Sequence, residues 1–508
     1  MQEIPDVGSV AIEAFGEVSE SLPIPEVDDS NLAEWAAEYL FGDLLCYNKA
    51  FGWMFFNGIH WAPIDEVVVI EYIRIGVESL REKAILSHAS SSTVGTIRSL
   101  ARKAKLKSAA DLVKGIVFKK AELFDADKDI VVTLNGVLDL EKGELLPHSP
   151  KFLVTKVAGA KYMPKMTHPD IDMMLSALET NEVKWLQGLF GQGLSGRTTP
   201  DDKLVLFYGG GSNGKSVLVN SVIKAAGDYA VFLPEKTLMA NKSDHSTEKM
   251  PLRGARLAFI EELPEGGILP VKRLKDLVGT PQMTARSIGA DNVTWDASHT
   301  LFISTNYLPV VIETDTGTWR RLRVLPFKKR FVSMGMVRQP SDVIGDPTIK
   351  TRIPENETGQ LDALLSWILE GALDFYKAGK KFTLPDPVSV EMTTEMWRKD
   401  YDPLLQFFLT YVERDENSHI ASVDLLAAFN NEQSRLGGRD WSQNKFNKRV
   451  TQHEELESYG LGNGPSRRRQ GSGLASRPEM TEFLKPILGA QYSAWNGIKF
   501  RTVVPDSE

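Results

Sequence analysis

A lysine and a serine at the end of a glycine-rich run are the residues whose types and spacing most clearly indicate a chemical role. Residues 207–216 read FYGGGSNGKS and fit the pattern G-x-x-x-x-G-K-[ST] from Gly209 onward. In such a loop, backbone N–H groups and the start of the next helix bind phosphate oxygens, the lysine contacts the β- and γ-phosphates, and the hydroxyl binds Mg²⁺. This predicts ATP and Mg²⁺ as cofactors, an exposed Lys215, and the nucleotide-binding residues Gly209, Gly210, Gly211, Ser212, Asn213, Gly214, Lys215 and Ser216.

The residues on either side of this run predict the elements that must hold it. Residues 203–208 (KLVLFY) form an apolar run of strand length, and residues 217–226 (VLVNSVIKAA) have helical spacing before Gly227. A strand, a glycine-rich turn and a helix are the order that a phosphate-binding loop requires. The alternative, a turn that only joins a core strand to a core helix, fits this context less well.

Two carboxylates follow the next apolar run. In RLAFIEELPEG (256–266), residues 257–260 predict a strand, and Glu261 and Glu262 come at its end. Hydrolysis of a nucleotide needs one carboxylate for hydrated Mg²⁺ and one that orients or deprotonates water. We assign the metal to Glu261, with Ser216, and the water to Glu262. The reverse order stays open, as does the alternative that both are surface glutamates.

An amide and two arginines complete the set of candidate catalytic residues. HTLFISTNYLPVV (299–311) predicts a strand that ends near Asn306, whose amide can sense a γ-phosphate and position water. TWRRLRVLPF (318–327) contains Arg320 and Arg321, and an arginine that reaches a transferring phosphoryl group is worth about 10³–10⁵ in rate. The candidate catalytic residues are therefore Lys215, Glu261, Glu262, Asn306, Arg321 and Arg320.

Length and composition narrow the class of protein. A chain of 508 residues has room for about three domains. The single cysteine, Cys46, argues against a disulfide scaffold and against multi-cysteine zinc sites. There is no run of about 18 apolar residues, and the N-terminus is acidic where a signal peptide would be basic. We expect a soluble cytoplasmic protein without a membrane partner. The net charge of −8 does not exclude a local basic channel for DNA.

The distribution of patterns along the chain predicts an α/β protein of several domains. Alternating strand-like and helical runs around the glycine-rich loop indicate a parallel sheet. The predicted units are a flexible leader at 1–30, a small α+β domain at 31–175, an α/β domain with the glycine-rich loop at 176–395 and an α+β module at 396–508.

These motifs resemble those of the superfamily 3 helicases, ring-forming AAA+ motors of DNA viruses, phages and plasmids. The loop at Gly209, the carboxylates at Glu261 and Glu262, and Asn306 lie within about a hundred residues, as in that family. NGVLDLEKGELLPHSPKFLVT (135–155), LDALLSWILEGALDFYKAG (361–379) and SAWNGIKF (493–500) are similar to segments of its phage and poxvirus primase-helicase branch.

The resemblance implies a P-loop AAA+ motor with a parallel sheet, followed by a winged-helix-like module. It implies an ATP-dependent DNA helicase of a phage or prophage in a bacterial host cell, assembled as a ring that is a hexamer in this family. It also implies that Arg321, with Arg320 as the second candidate, acts on the ATP of the neighbouring subunit.

Candidate DNA contacts are spread over three segments. The family has a DNA-gripping β-hairpin where this chain reads KDLVGTPQMTARSIGADNVTW (275–295), and residues 287–292 at its predicted tip contain no lysine. Residues 422–433 and 441–452 have the pattern of two helices of a winged helix-turn-helix. A basic hairpin follows, with Arg467, Arg468 and Arg469 in a glycine-flanked loop. Residues 102–120 are a further basic stretch. The specific candidates are Lys275, Arg286, Lys445, Lys448, Arg449, Arg467, Arg468 and Arg469.

Two short motifs invite other interpretations. NKSD (241–244) matches the guanine-reading motif of GTPases, but it lies in a polar run and we interpret it as a loop. FDADKD (124–129) imitates the paired aspartates of a primase, yet its surroundings match the domain that precedes the motor. We expect that priming, where needed, comes from a separate protein. The open alternatives are an ATP-dependent initiator that melts an origin, and another P-loop motor such as a packaging ATPase.

Overall fold

The structure is a computed structural model, and it describes residues 12–16, 29–197, 202–239, 246–286, 293–311, 316–382, 384–435, 440–469, 474–475 and 491–501. The chain is a mixed α/β protein built around a parallel five-stranded sheet. No described helix is both long enough and apolar enough to cross a membrane.

The first part of the chain contains helices and two small antiparallel sheets. Its helices are α1 (Asp29–Trp35), α2 (Glu66–Leu86), α3 (Ser91–Leu100) and α4 (Lys103–Ile116), and its strands are β1 (Leu45–Asn48), β2 (Gly52–Phe56), β3 (Trp61–Pro63), β4 (Ile130–Thr133), β5 (Gly136–Asp139) and β6 (Glu144–Leu146). Strands β1 to β3 form one sheet and β4 to β6 the other. Turns at Asn135-Gly136 and Lys142-Gly143, residue pairs typical of hairpin turns, join β4 to β5 and β5 to β6, and both strand pairs are antiparallel.

The central part alternates helices and strands. Its helices are α5 (Pro169–Leu175), α6 (Thr180–Leu194), α7 (Lys215–Ala226), α8 (Lys236–Met239), α9 (Val271–Val278), α10 (Thr316–Trp319), α11 (Ile349–Glu355), α12 (Gln360–Lys377) and α13 (Val388–Tyr401). Its strands are β7 (Leu204–Tyr208), β8 (Ala230–Leu233), β9 (Leu257–Glu261), β10 (Gln282–Ala285), β11 (Val293–Asp296), β12 (Thr300–Thr305), β13 (Leu322–Pro326), β14 (Arg330–Val332) and β15 (Asp342–Ile344).

Five of these strands form one parallel sheet in the order β13-β7-β12-β9-β8. Strands β7, β9 and β12 read LVLFY, LAFIE and TLFIST, the nearly continuous apolar runs expected of strands buried on both faces. Strand β12 lies between β7 and β9, and all five carboxyl ends meet at one edge. Every polar residue that follows these strands is therefore delivered to that edge.

Helices α6 and α12 pack against each other at very short distance on one face of the sheet. A Cβ atom on Gly191 would lie 2.2 Å from the backbone nitrogen of Ala372, and one on Gly371 would lie 2.3 Å from the carbonyl of Gln187. Only glycine fits at these two positions. The core beneath the helices also includes Val131 of the second small sheet, so that sheet packs against the central part of the chain.

The last part of the chain has its own core. It contains α14 (Pro403–Tyr411), β16 (Val412–Ala421), α15 (Ser422–Arg435), α16 (Gln443–Thr451), β17 (Ser466–Arg469), β18 (Leu474–Ala475) and β19 (Gln491–Phe500). The four strands form a sheet in the order β17-β19-β16-β18, and its core begins at Leu404. Helix α13 belongs with the central part of the chain, because its Trp397 is buried there and donates its indole N–H to the carbonyl of Pro309.

A buried histidine makes the stability of this fold sensitive to acid. His299 precedes β12, and its Nε2 donates to the carbonyl of Leu277 at 3.0 Å. Burial lowers the pKa of His299 to about 4 from 6.5. The unfolded chain then takes up this proton at a higher pH than the folded chain. The contribution of neutral His299 to the free energy of unfolding is complete above pH 6.5. It is lost as the pH falls toward 4, by up to about 3 kcal/mol.

We expect the free energy of unfolding in urea to fall more steeply between pH 6.5 and 5 for the wild type than for His299→Gln. The glutamine keeps an amide donor near Leu277 but does not titrate. Identical pH dependence in the two proteins would show that another group is responsible.

Candidate functional site

The glycine-rich run forms the predicted turn between β7 and α7. Strand β7 ends at Tyr208 and α7 begins at Lys215, with Gly214 at its N-cap at φ +87°. A Cβ atom on Gly209 would lie 2.4 Å from Nδ2 of Asn213 and 2.6 Å from the carbonyl of Phe327. Glycine is thus required at both ends of the loop. The predicted order of strand, turn and helix is confirmed.

Lys215 is not exposed, in contrast to the expectation from sequence. The residue is 5% exposed, and its Nζ donates to the carbonyls of Gly209 at 2.5 Å and Gly210 at 3.3 Å. It also donates to Oδ1 of Asn213 at 3.2 Å. The sequence interpretation was wrong because the loop folds back over its own lysine. Burial lowers the pKa of the Lys215 ammonium to about 8, against the attraction of Glu262, which raises it.

The outer part of the loop is open to solvent. Gly210, Gly211 and Ser212 are exposed, and so is Ser216 in the first turn of α7. The N-terminus of α7 therefore presents backbone N–H groups and the exposed hydroxyl of Ser216 at the sheet edge. Such a site is chemically suited to an anion with many oxygens, and the Ser216 hydroxyl is a ligand type that Mg²⁺ accepts.

Glu261 and Glu262 lie where the sequence places them, at the end of β9. The backbone of Glu262 has φ +54°, and its N–H donates to the carbonyl of Ser304 at 2.8 Å, which extends the pairing with β12. Both carboxylates are exposed. Burial and the neighbouring charge of Glu262 raise the pKa of Glu261. A left-handed backbone at a non-glycine residue is uncommon, and such strain concentrates at functional sites.

Asn306 is brought directly to the lysine. It follows β12, and its Oδ1 accepts from Nζ of Lys215 at 3.0 Å. This contact spans 91 residues of sequence and follows from the sheet order, since β12 is inserted between the loop strand β7 and the acidic strand β9. The predicted site residues Lys215, Asn306 and the glutamate pair thus converge on one edge.

The two candidate arginines have different surroundings. The Arg321 guanidinium donates to Asp202 at 2.9 Å and to the carbonyl of Gly317 at 2.5 Å, and its side chain is 13% exposed. Arg320 is exposed. Of the two, Arg320 is free to extend away from its own subunit, whereas Arg321 is held within it. Asp202 was not identified from the sequence, because nothing local marks it as the partner of an arginine 119 residues away.

A mainly apolar cavity adjoins the glycine-rich loop. It has a volume of about 260 Å³, and Ser212 and Gly214 form the wall toward the loop. Met174, Phe331 and Ile349 form the opposite walls. Phe331 is tied to the loop, because its N–H donates to the carbonyl of Ser212 at 2.7 Å. No local sequence pattern marks this cavity, because four separate segments of the chain assemble it.

The predicted hairpin is present as β10 and β11, which pair antiparallel. Arg286 is exposed just after β10, and Lys275 lies in α9. The hairpin tip at 287–292 lies outside the described residues, as does the NKSD motif at 241–244.

The basic residues near the C-terminus lie on a helix and a strand. Lys445, Lys448 and Arg449 are in α16, with the Lys445 ammonium 4.1 Å from the ring centre of Trp441. Arg467, Arg468 and Arg469 were expected in a loop, but they form most of β17, which pairs with β19. Arg468 donates to Oδ1 of Asn496 at 2.6 Å.

The aspartates of FDADKD hold the fold together. Asp125 accepts from the backbone N–H of Thr155 at 2.7 Å. Asp129 accepts from Arg197 at 2.5 Å and from the Tyr376 hydroxyl at 2.5 Å. Each is occupied by partners from a different segment, so the pair does not form a shared site. Within the described parts of the chain, no cluster of three or more acidic, histidine or cysteine side chains could hold a metal by itself.

Comparison with known proteins gives two matching family models. One, described as D5 N terminal like, matches residues 33–178, and a family of unknown function (DUF5906) matches residues 207–321. A "Putative helicase" of Acanthamoeba polyphaga mimivirus is 22% identical over 342 residues, which cover 64% of this chain and 34% of that protein. A "Putative primase" of African swine fever virus is 24% identical over 330 residues, 60% of this chain and 34% of that protein.

A "Putative helicase" of Frog virus 3 is 29% identical over 252 residues, which cover 47% of this chain and 24% of that protein. The chain thus matches about a third or less of the length of these relatives. Among solved structures, the apo C-terminal region of NrS-1 aligns at a TM-score of 0.35 and 10% identity, over 62% of this chain and 75% of that one. A TM-score of this size does not establish a shared fold.

The D5-like match covers the small domain ahead of the glycine-rich loop, and the relatives are viral proteins named for helicase or primase roles. The chain is therefore similar to the phage and viral primase-helicases of superfamily 3 type.

Proposed function

We propose that this protein is an ATP-dependent DNA helicase of phage or viral replication, with a P-loop AAA+ motor and a winged-helix-like C-terminal module. The observation that carries the proposal is the position of the Lys215 ammonium, which lies between the loop carbonyls and the amide of Asn306. A lysine held there can exchange Gly209 and Gly210 for phosphate oxygens without moving its backbone. Asn306 then contacts both the lysine and the terminal phosphate.

The two glutamates have separate roles in this proposal. Glu262 orients and deprotonates the attacking water, and its charge already acts on Lys215. Ser216 and Glu261 would hold Mg²⁺, which when bound neutralises charge on the phosphate oxygens. The raised pKa of Glu261 agrees with a carboxylate that gains a cation on nucleotide binding.

The apolar cavity beside the loop is suited to the adenine base. Its walls include the Phe331 ring, which can stack on a base, and the aliphatic side chain of Ile349. The loop is the shared boundary between this cavity and the phosphate site. A single nucleotide can therefore occupy both.

The remaining elements of the proposal concern assembly and DNA. Subunits form a ring, as a hexamer, in which an arginine of one subunit completes the ATP site of the next. Arg286 of the hairpin β10/β11 and Lys275 of α9 contact single-stranded or forked DNA, and α16 and β17 supply further contacts. A separate primase is the expected partner, and the expected location is the cytoplasm of the host cell.

DNA-stimulated nucleotide hydrolysis tests this proposal. Phosphate release from ATP and from GTP would be measured with and without single-stranded DNA. We expect hydrolysis of ATP that DNA stimulates. A protein that binds ATP but shows no turnover with any DNA would instead fit an initiator that uses ATP for assembly only.

The glutamate pair gives a sharper prediction. We expect Glu262→Gln to bind ATP with nearly unchanged affinity but to hydrolyse it about 10²–10⁴ times more slowly, because the amide keeps the shape and loses the base. Glu261→Gln should weaken Mg²⁺-dependent binding. Isothermal titration with ATP at several Mg²⁺ concentrations, together with turnover, separates the two. The opposite pattern would reverse the two roles.

A further inference from the structure

A second cleft lies between the first part of the chain and the base of the β10/β11 hairpin. Its volume is about 710 Å³. One wall comes from residues 50–51, 121–122, 124–126, 128 and 155–156, and the central part of the chain contributes Arg253 and Arg256. The third wall is the hairpin itself, through Gln282 and residues 293–296. The cleft is therefore continuous with the element proposed to contact DNA, and it lies outside the ATP site.

Cations without carboxylate partners line this cleft. The guanidinium of Arg253 lies 4.5 Å from the ring centre of Phe51, and burial lowers its pKa, against the attraction of Asp125 and Glu122, which raises it. Among the described residues, Arg253, Lys128 and Lys156 form no ion pair. Buried and half-buried cations are normally paired, so three unpaired ones around one cleft indicate an anionic ligand.

Carboxylates are present as well, but they have other partners or lie at the rim. Asp125 is occupied by Thr155, and Asp296 accepts from Gln282 at 3.2 Å. Glu122 is exposed. Four cations face three carboxylates, counted over the cleft lining, which leaves a net charge of +1. The cleft is therefore suited to a ligand with separate negatively charged groups, such as the phosphates of a nucleic-acid strand.

Two aromatic side chains of the cleft lining can contact nucleic-acid bases. Phe51 and Trp295 line the cleft, and the indole N–H of Trp295 is shielded from solvent with no acceptor among the residues described. Rings interleaved with unpaired cations are the arrangement that binds single strands, where bases stack on rings and phosphates meet cations. The volume falls within the roughly 300–1,000 Å³ of small-ligand pockets, enough for one or two nucleotides of a single strand but not for a duplex.

We propose that this cleft binds single-stranded DNA, with phosphates on Arg253, Lys156 and Lys128 and bases against Phe51 and Trp295. The choice of DNA over RNA rests on the proposed function. The cleft thus gives the D5-like domain a direct part in holding the strand that passes the hairpin. Its position, beside β10 and β11 and away from the glycine-rich loop, separates this strand contact from ATP binding.

Equilibrium binding without nucleotide tests the proposal. The fluorescence anisotropy of a labelled oligothymidylate would be followed over a range of salt concentrations for the full chain and for Lys156→Gln/Arg253→Gln. We expect about tenfold weaker binding and a salt slope smaller by about 1.4, since each lost phosphate contact on a single strand contributes about 0.7. Arg253→Lys, which keeps the charge, should retain most of the binding.

The matched control is Lys161→Gln/Lys184→Gln, which removes two exposed lysines outside the cleft lining. It should leave affinity and slope unchanged. Equal weakening in both double variants, or no change in the cleft variant, would overturn the proposal. So would cleft-dependent binding of oligouridylate but not of oligothymidylate.

Photocrosslinking locates the strand independently of affinity. An oligonucleotide with 5-iododeoxyuridine should crosslink to peptides that contain Phe51 or Trp295. Crosslinks confined to residues 412–501 would contradict the cleft. ATP hydrolysis without DNA would be measured on the same variants, so that the cleft and the proposed function are tested separately. If the wild type shows no turnover, the proposed function is contradicted, but the binding result still decides whether the cleft holds the strand.

Discussion

Replacing Lys215 with methionine should reduce ATP hydrolysis by at least about 10²–10³-fold, the loss expected when one donor to the reacting phosphate is removed. The same variant should be at least as stable as the wild type. Methionine fills similar space, and it removes an ammonium that burial destabilises, as the lowered pKa shows.

Steady-state turnover and thermal unfolding of Lys215→Met would be compared with those of Lys224→Met. Lys224 lies on the same helix and is exposed, so its replacement is the matched control. Turnover of Lys215→Met within a few-fold of the wild type would contradict the role of the loop. A large loss of stability would show that its ammonium contacts are structural.

Mixing two inactive variants should restore part of the ATPase activity. A Lys215→Ala chain lacks the loop lysine, and an Arg320→Ala chain lacks the arginine that we now favour because it is exposed while Arg321 is held by Asp202. In a ring with head-to-tail interfaces, about a quarter of randomly formed interfaces would combine an intact loop with an intact arginine. Each incomplete site would lose about 10³–10⁵ in rate.

The same mixture with Arg321→Ala separates the two candidates. We expect Arg321→Ala alone to lower the unfolding temperature, because Asp202 loses its partner, and to give less recovery in the mixture. Recovery with Arg321→Ala but not with Arg320→Ala would return the role to Arg321. An arginine that acts on its own subunit gives no recovery in either mixture, even when mixed rings form.

The parts of the site that the sequence predicted are those marked by local patterns. The strand, turn and helix around Gly209, the carboxylates after β9 and the amide after β12 each follow from a short run of residue types. Parallel strands then bring these ends together, so the contact of Lys215 with Asn306 could be anticipated once a sheet was predicted.

The features of the site that could not be predicted from the sequence depend on contacts between distant segments. The burial of Lys215 results from the path of the loop backbone, which residue types do not determine. The pairing of Arg321 with Asp202 and the stacking of Arg253 on Phe51 join residues more than a hundred positions apart. Arg467 to Arg469 were expected in a loop because glycines flank them, but pairing with β19 makes them a strand.

Strand displacement on a forked DNA duplex tests the central claim most directly. A fluorophore and a quencher on opposite strands report separation in real time, with ATP, with a non-hydrolysable analogue and with Glu262→Gln as the matched inactive protein. We predict that the wild type with ATP separates the strands, and that the analogue and Glu262→Gln do not. ATP hydrolysis by the wild type without strand separation on forks of either polarity would contradict a helicase.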